Sequence, residues 1–245
     1  MKTIFNENNY LALTIGIALI LATIVGGIFY TTKDTTNKDI LTVTGSARTE
    51  VTADSVLWRT QITRNVSFSE LKSGYAAMAS DMTAVKAFLA ANNVAEDAIT
   101  IQPIMMNEDW NNNGPVVQES KRYTLTQPIE IKSVDVNGIT ALAQKSADLI
   151  NKGVLFQSQG LEYYYTKLAD LRVSMLGDAV KDAKERAQNM AKAGGQRVGS
   201  LQSASSGVVQ VLSRGSVEVS DYGSYDTSKI EKDVMVTVRA TFGVK

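Results

Sequence analysis

Residues 56–78 read VLWRTQITRNVSFSELKSGYAAM, and this stretch places a strand pattern directly before a helix pattern. From 56 to 66 the residues alternate between the two faces of a predicted strand. One face has Val56, Trp58, Thr60 and Ile62, and the other has Leu57, Arg59, Gln61 and Thr63. Ser67 with Glu70 forms the capping box that often begins a helix. A strand that leads straight into a helix indicates a fold that mixes both kinds of element.

The predicted helix carries one apolar stripe, at steps of three and four residues, and we expect it to end near Asn92 and Asn93. The stripe consists of Phe68, Leu71, Tyr75, Met78, Met82, Val85, Phe88 and Leu89. Such a stripe favours burial in the core of a domain, and the alternative is a contact with another subunit.

The rest of the chain repeats this mixture of strands and helices. We expect a strand at 40–43 to pair antiparallel with 56–66, and strands at 99–105 and 122–131 to form a second pair. Further predicted elements are a helix at 137–152 with Asn137 as N-cap and Gly153 after its end, a strand at 161–167, a helix at 168–193, and strands at 198–211 and 234–242. The predicted fold class is α+β, with a largely antiparallel sheet and helices packed on it over residues 40–245.

The helix predicted at 168–193 has an apolar face of mostly small residues. This face consists of Leu168, Leu171, Met175, Ala179, Ala183, Ala187 and Met190. Gly194 and Gly195 follow it, and we expect Gly194 to adopt the left-handed conformation that ends many helices.

Residues 10–30 contain no charged side chain and are apolar over most of their length. A helix of this length spans about 30 Å, the hydrocarbon thickness of a bilayer. We therefore predict that residues 1–30 form a cytoplasmic stub and an uncleaved transmembrane signal anchor, that residues 10–30 contact the lipid bilayer, and that residues 31–39 are a polar tether. The alternatives are a cleaved signal peptide and a buried core helix.

The composition excludes several classes of active site. The 245 residues include no histidine and no cysteine, so a single chain has no Ser-His-Asp or Cys-His nucleophilic site, structural zinc site or iron–sulfur cluster. Lys and Arg number 25 against 25 Asp and Glu, so no net positive charge attracts nucleic acid. The sequence predicts no catalytic, cofactor-binding or metal-binding residue, and a protein that is not an enzyme.

One local pattern resembles half of a calcium-binding loop. Residues 109–114 read DWNNNG, with oxygen-bearing side chains at alternate positions and a glycine at the turn. The bidentate acid of such a loop belongs at position 120, which is Ser120, while Glu119 lies one place too early. A solvated hairpin loop is the favoured interpretation, and calcium binding is the alternative.

Pairs of charged residues give the remaining candidates for chemistry. Glu108 with Asp109, and Asp178 with Asp182, are candidate acid pairs for hydrolysis, although the second pair fits a solvated helix face. Arg186 and Arg197 near the glycine turn are candidates for anion binding, but basic residues there, Lys192 included, also suit the end of a helix.

The tyrosines at 163–165 lie in the predicted strand at 161–167, with Tyr163 and Tyr165 on one face and Tyr164 on the other. Core packing is the first interpretation of these side chains, and a subunit interface is the second. We predict a homo-oligomer, because we expect tyrosine and methionine side chains on the surface and the chain has no net charge to oppose association.

Several stretches together resemble the SIMPL-domain family of exported bacterial proteins. The similar stretches are VTGSARTEVTADSVLWRTQI at 43–62, EDAITIQPIMM at 96–106, DAVKDAKERAQNMAKAGGQRVGSLQSAS at 178–205 and VMVTVRATF at 234–242. Ala47 replaces the second glycine of the V-x-G-x-G start of the family, and Ala53 stands where the family has a proline before Asp54. The resemblance extends over residues 40–245.

The resemblance implies a two-part α+β domain on the outer side of a bacterial inner membrane, in the periplasm or outside the cell. For some members it implies tolerance of oxidative stress and ring-like homo-oligomers, and it implies no catalytic residues. The expected function is that of a non-enzymatic, membrane-anchored envelope protein that self-associates and supports stress tolerance. The alternative is a carboxylate-based hydrolase or a module that binds a small ligand or calcium.

Overall fold

The computed structural model describes residues 15–25, 27, 39–109, 121–216, 220 and 222–245. The described residues form an α+β protein with nine strands in two sheets. The strands are β1 (Ile40–Thr52), β2 (Ser55–Ser67), β3 (Ile99–Ile101), β4 (Met105–Asp109), β5 (Arg122–Ser133), β6 (Phe156–Tyr164), β7 (Val198–Ser213), β8 (Ser224–Tyr225) and β9 (Glu231–Val244). The helices that follow Asp39 are α1 (Leu71–Ala91), α2 (Val136–Gln144), α3 (Ala147–Asn151) and α4 (Leu168–Ala193). The predicted α+β class and the predominance of antiparallel pairing are confirmed.

The five-stranded sheet has the order β3-β5-β2-β6, with β4 also paired to β5. Its strands pair antiparallel, and the register places Trp58 of β2 opposite Ile131 of β5 and Leu161 of β6. Val56, Trp58 and Ile62 are fully buried, which confirms the alternation read from the sequence.

One hydrophobic cluster lies between this sheet and the helices α1, α2 and α3. Its largest fully buried side chains are those of Trp58, Ile62, Met78, Leu89, Leu125, Ile129, Ile131 and Leu149. Gly74 lets α1 approach the sheet closely, because a Cβ at this position would lie 2.7 Å from Val66 Cγ1 and 3.1 Å from Leu125 Cδ1. The capping box is also confirmed, since the Ser67 N–H and O–H both donate to Glu70, at 3.0 and 2.7 Å. It opens a short 3₁₀ turn, Phe68–Glu70, that leads into α1.

The four-stranded sheet has the order β1-β9-β7-β8, and β8 pairs in parallel with β7 at Gln210 and Val211. On β9, Val234, Val236, Val238, Ala240 and Phe242 are buried, as their alternation predicts. Residues 200–208 of β7, in contrast, are exposed at every position.

The described residues divide into two compact units. One comprises the described residues up to Gly45 with 180–205 and 238–245, and the other comprises the described residues of 46–179 and 206–237. In the second unit, Met175, Val211, Val234 and Val236 form a small apolar cluster. In the first unit, the alanines of α4 at 183, 187 and 191 are buried.

The predicted pairing of the first two strands is wrong. The described residues form two sheets where we expected one, and β1 lies in the four-stranded sheet while β2 lies in the five-stranded sheet. At the two residues between these strands, the backbone N–H of Ala53 donates to Ile230 O and that of Asp54 donates to Tyr164 O, both at 2.9 Å. The connection therefore joins two sheets. An alternating pattern identifies a strand but carries no information about its partner.

The helix predicted at 137–152 is two helices, α2 and α3. Asp135 is the N-cap instead of Asn137, because its carboxylate accepts the Gly138 N–H at 2.9 Å. Gly153 follows α3 with a φ of 80°, as its position after a helix predicts. The strand predicted at 99–105 is likewise divided into β3 and β4, and Pro103 lies between them.

The bounds predicted for α4 are confirmed, but its end differs from the prediction. Gly195 has the positive φ, 75°, and Gly194 does not. The Gln196 N–H reaches back to Ala191 O at 2.8 Å, and this bond closes the last turn one residue later than we predicted. Ala191 is the buried residue of this turn, whereas Met190 is 55% exposed.

Residues 15–25 and 27 are helical, and the large apolar side chains of this segment are exposed. Residues 10–14, 26 and 28–30 of the predicted anchor, with most of the tether, lie outside the described residues. Within the described part of the chain, no helix is both long enough and apolar enough to cross a bilayer.

Candidate functional site

Among the described residues, a group of charged and aromatic side chains begins on the five-stranded sheet and extends to β8 and β9. Arg59 of β2 lies between Glu130 of β5 and Glu162 of β6, because the sheet order places these two strands on either side of β2. The Arg59 Nε lies 3.3 Å from Glu130 Oε1, and Arg59 Nη1 pairs with Glu162 Oε1. One guanidinium therefore binds two carboxylates. Arg59 alternates with the buried Trp58 and lies on the opposite face of the sheet.

Two tyrosines extend this group toward β8. Tyr164 donates its hydroxyl hydrogen to Glu162, and its ring lies 5.8 Å from that of Tyr225, measured between centroids. The bond to the Glu162 carboxylate, together with partial burial, raises the pKa of Tyr164. The Tyr225 hydroxyl in turn accepts the Tyr165 N–H at 2.8 Å. The phenols thus join the end of β6 to β8.

Lys232 is the fully buried charge of this group. Its side chain has no exposed surface, its Nζ donates to Asp226 O at 2.5 Å, and it lies 5.7 Å from the centre of the Tyr225 ring. Burial lowers the pKa of this ammonium because the charged form loses its hydration. A carbonyl and an aromatic face partly replace the lost water.

The charge of Asp226 acts on Lys232 and raises the pKa of that ammonium, against the larger effect of burial. The Ser213 hydroxyl donates to the Asp226 carboxylate, as do the Ser228 N–H and hydroxyl at 2.6 and 2.8 Å. These bonds, with that of Ser213 first, lower the pKa of Asp226 to about 2. The charges of this group therefore bind one another and the backbone, an arrangement that positions β6, β8 and β9.

Glu130 and Glu162 are the acid pair that reading the sequence missed. They lie 32 positions apart on strands that are consecutive in the chain but not adjacent in the sheet, and they meet only because β2 runs between them. The sequence signal for this pair was a polar residue at an outward position of each strand. Many other positions of the chain have the same signal, so it does not identify the pair. Both acids bind Arg59, so this constellation consists of ion pairs.

The predicted acid pairs have separate partners in the structure. Glu108 pairs with Lys121 at 3.0 Å, while Asp109, its neighbour on β4, accepts the Thr124 hydroxyl at 2.9 Å. On α4, Asp182 pairs with Arg186 at 2.8 Å, one helical turn away, and Asp178 is exposed. These contacts fit a solvated, charged surface.

Of the predicted calcium motif, only Asp109 lies within the described residues. Positions 110–114, Glu119 and Ser120 lie outside them. The solvated hairpin loop stays a prediction there, with calcium binding as its alternative.

The predicted anion-binding residues differ in their surroundings. Arg186 is paired with Asp182, as described above. Arg197 and Lys192 line an open depression of about 500 Å³, and Gln188 and Gln196 also contribute to its wall.

The three tyrosines also differ in their surroundings. Tyr163 is buried in the core and shares a hydrogen bond with the Thr140 hydroxyl at 3.0 Å, so its interpretation as a core residue is confirmed. Tyr164 is partly buried against Tyr225, and β6 ends at Tyr164. Tyr165 follows the strand and is partly exposed.

Two surfaces expose features that proteins usually cover, namely apolar side chains on one and the edge of a strand on the other. One is the helical segment 15–25, which shows apolar side chains on all sides. The other is residues 200–205 of β7, which adjoin β9 along one edge and are exposed on both faces. Both surfaces are suited to contact with a lipid or a protein.

Comparison with known families matches residues 41–242 to the model of SIMPL, described as a protein of unknown function (DUF541). The match extends over most of the chain, so the protein belongs to this family, and the resemblance read from the sequence is confirmed. No curated protein matches the chain.

Proposed function

We propose, for this member of the SIMPL family, that the protein is a non-enzymatic envelope protein. In this proposal residues 10–30 anchor it in a bacterial inner membrane, the body lies outside that membrane and self-associates, and the assembly supports tolerance of oxidative stress. The observation that carries the proposal is the exposure of apolar side chains on every side of the helical segment 15–25.

The exposed apolar residues of this segment are not confined to one helical face. They are Ile15, Ile17, Leu19, Ile20, Leu21, Ile24 and Val25, each more than half exposed. A helix that is apolar all round belongs in a large core or in lipid. Residues 10–30 carry no charge, and their length as a helix equals the thickness of the hydrocarbon layer, which favours lipid.

Self-association is supported by the edge of β7. Residues 200–205 adjoin β9 on one side, while among the described residues β8, the neighbour on the other side, pairs with β7 at Gln210 and Val211, beyond this stretch. Proteins usually protect such edges with charged residues, proline or a bulge. Residues 198–212 contain neither charge nor proline, so this edge is suited to pairing with the same strand of a second copy.

Membrane anchoring is tested by cell fractionation and sequencing of the mature N-terminus. We expect the full chain in the membrane fraction with its N-terminal segment attached, and a body that added protease digests in spheroplasts. Replacing both Leu19 and Ile20 by Arg should release the protein, since a charge at the centre of a span costs about 3 kcal/mol. The matched control replaces both residues by Val. A soluble wild-type product that begins near residue 27 or later would show that the segment is cleaved.

Self-association is tested by measuring the mass of the full chain in lipid nanodiscs. We expect an oligomer that the double substitution Ser203→Lys with Ser205→Lys disperses, because it adds charge to the open edge. Ala169→Lys with Ala193→Lys, at exposed positions of α4, is the matched control. A wild-type monomer at micromolar concentration, or an oligomer that both double variants leave intact, would contradict this part of the proposal.

The stress role is tested in a strain that lacks the gene. The full chain should restore survival in hydrogen peroxide, and the variant with Arg at both 19 and 20 should not. Equal survival with and without the gene would rule out this role.

A further inference from the structure

A groove of about 640 Å³ lies between the second half of α1 and the strand β3. Its wall on α1 is low because Ala87 and Ala90 have short side chains, and the half-buried Val94, Ile99 and Ile101 supply apolar surface. Lys86 and Glu96 also line the groove, so neither sign of charge dominates. This volume and lining are typical of sites that bind apolar groups.

The strand beside the groove has a free edge. β3 is the last strand in the order of the five-stranded sheet, and among the described strands β5 is its partner. Gln102 N–H donates to Pro128 O at 3.0 Å, and hydrogen-bonded pairs alternate along an antiparallel ladder. Thr100 therefore bonds to β5, whereas the main-chain groups of Ile99 and Ile101 point away from it. The Ile99 N–H already binds Glu96 O. The groups that remain at the edge are therefore the Ile99 C=O and the N–H and C=O of Ile101.

We infer that this groove binds an extended peptide segment of another protein, which adds to β3 as a further strand. The edge offers main-chain donors and acceptors, and a peptide satisfies them while an acyl chain does not. Because side chains alternate along a strand, every second side chain of the peptide enters the groove above Ala87 and Ala90. Val94, Ile99 and Ile101 select apolar side chains there. Recognition therefore combines backbone bonding with apolar side chains at alternate positions.

The absence of cysteine from the chain allows a test by disulfide capture. Ala90→Cys in the full chain, held in lipid nanodiscs, places the only thiol in the groove. Ala141→Cys, at an exposed alanine of α2, is the matched control. The probe is a thiol-bearing peptide of alternating threonine and valine. Each thiol probe is supplied as its mixed disulfide with 2-mercaptoethanol and equilibrated with excess 2-mercaptoethanol, so that capture is a thiol–disulfide exchange that releases 2-mercaptoethanol. Mass spectrometry measures the captured fraction. We expect the capture equilibrium at position 90 to exceed that at position 141 about tenfold, since two net hydrogen bonds supply such a factor.

Two further measurements distinguish the binding mode. Adding Ala87→Leu to the Ala90→Cys protein should reduce capture to the level at position 141 because it fills the groove, whereas adding Ala141→Leu should have no effect. In two further peptides the main-chain nitrogens are methylated, at the valines in one and at the threonines in the other. Only one of the two should lose the higher capture at position 90, because alternate N–H groups of a strand face the edge of β3. Equal capture at positions 90 and 141, or an equal effect of the two methylation patterns, would overturn the inference. Capture of a straight-chain alkyl thiol as strongly as the peptide would overturn it in favour of a lipid occupant.

Discussion

The chain packs one set of helices with large side chains and another helix with alanines. Beneath α1, α2 and α3 the fully buried residues include Trp58, Met78 and Leu89, whereas the buried face of α4 consists of Met175 and the alanines at 179, 183, 187 and 191. Burying a large apolar side chain contributes about 1.5 to 3 kcal/mol, and a methyl group contributes less than about 1 kcal/mol. The first region therefore obtains its stability from apolar area. In the second region, the buried face of α4 consists mostly of alanines, and their short side chains let neighbouring atoms approach the helix closely.

Trp58→Ala is expected to have the largest effect, because it removes the main side chain of the first region. The indole is fully buried, packs edge-on against Phe156 with ring centres 5.6 Å apart, and donates to Ser158 Oγ at 2.9 Å. We expect a loss of about 4 kcal/mol in the free energy of unfolding, measured in urea. Leu201→Ala, at a 45% exposed side chain of β7, should cost less than about 0.5 kcal/mol. Equal losses for the two variants would contradict the comparison.

Ala183→Leu tests the second region by the opposite change in size. Ala183 has no exposed surface, so added methyl groups must displace their neighbours. The expected loss is about 2 kcal/mol in the same urea experiment. Ala169→Leu, at an exposed position of the same helix, should change the stability by less than about 0.5 kcal/mol. Tolerance of leucine at 183 would mean that the alanine face is not closely packed.

The end of α4 gives a smaller test with an adjacent control. Gly195 has a φ of 75°, where a side chain strains the backbone, so Gly195→Ala should cost about 1.5 kcal/mol. At Gly194 an added Cβ would meet Ala191 O at 3.5 Å, an ordinary contact, and alanine should change the stability by only a few tenths of a kcal/mol. Thermal unfolding of both variants checks this order. A larger loss at 194 would show that the helix ends there.

The smallest expected effect concerns charge near the buried end of β7. Asp226 has a folded-state pKa of about 2, below its ordinary 3.8, so its carboxylate stabilises the fold above about pH 4 and this contribution is lost as the pH falls toward 2. Its N–H also bonds Val211 O at 2.8 Å. We expect Asp226→Asn to cost about 1 kcal/mol at pH 6, after allowance for partial exposure, and little at pH 2. The same loss at both pH values would show that the carboxylate charge does not contribute.

Local chemistry made much of the secondary structure predictable. The capping box at Ser67 and Glu70, the end of α1 before Asn93, and the bounds of α4 depend on residues within a few positions of one another. The errors in these regions were small and also local. Asp135 caps α2 two residues before Asn137, and Gly195 takes the left-handed conformation that we assigned to Gly194. Neighbouring residues of similar type compete for such positions, and small differences in hydrogen bonding decide between them.

The residues alone were enough to predict the α+β class, the family, the apolar N-terminal segment and the buried faces of β2 and β9, because side-chain periodicity is a property of the chain alone. Three features required the folded chain: β1 and β2 belong to different sheets, Arg59 joins Glu130 to Glu162, and α1 and β3 enclose a groove. Each of these features depends on which strands lie side by side. Strand pairing is set by contacts between residues far apart in the chain, and an alternating pattern fits many partners equally well.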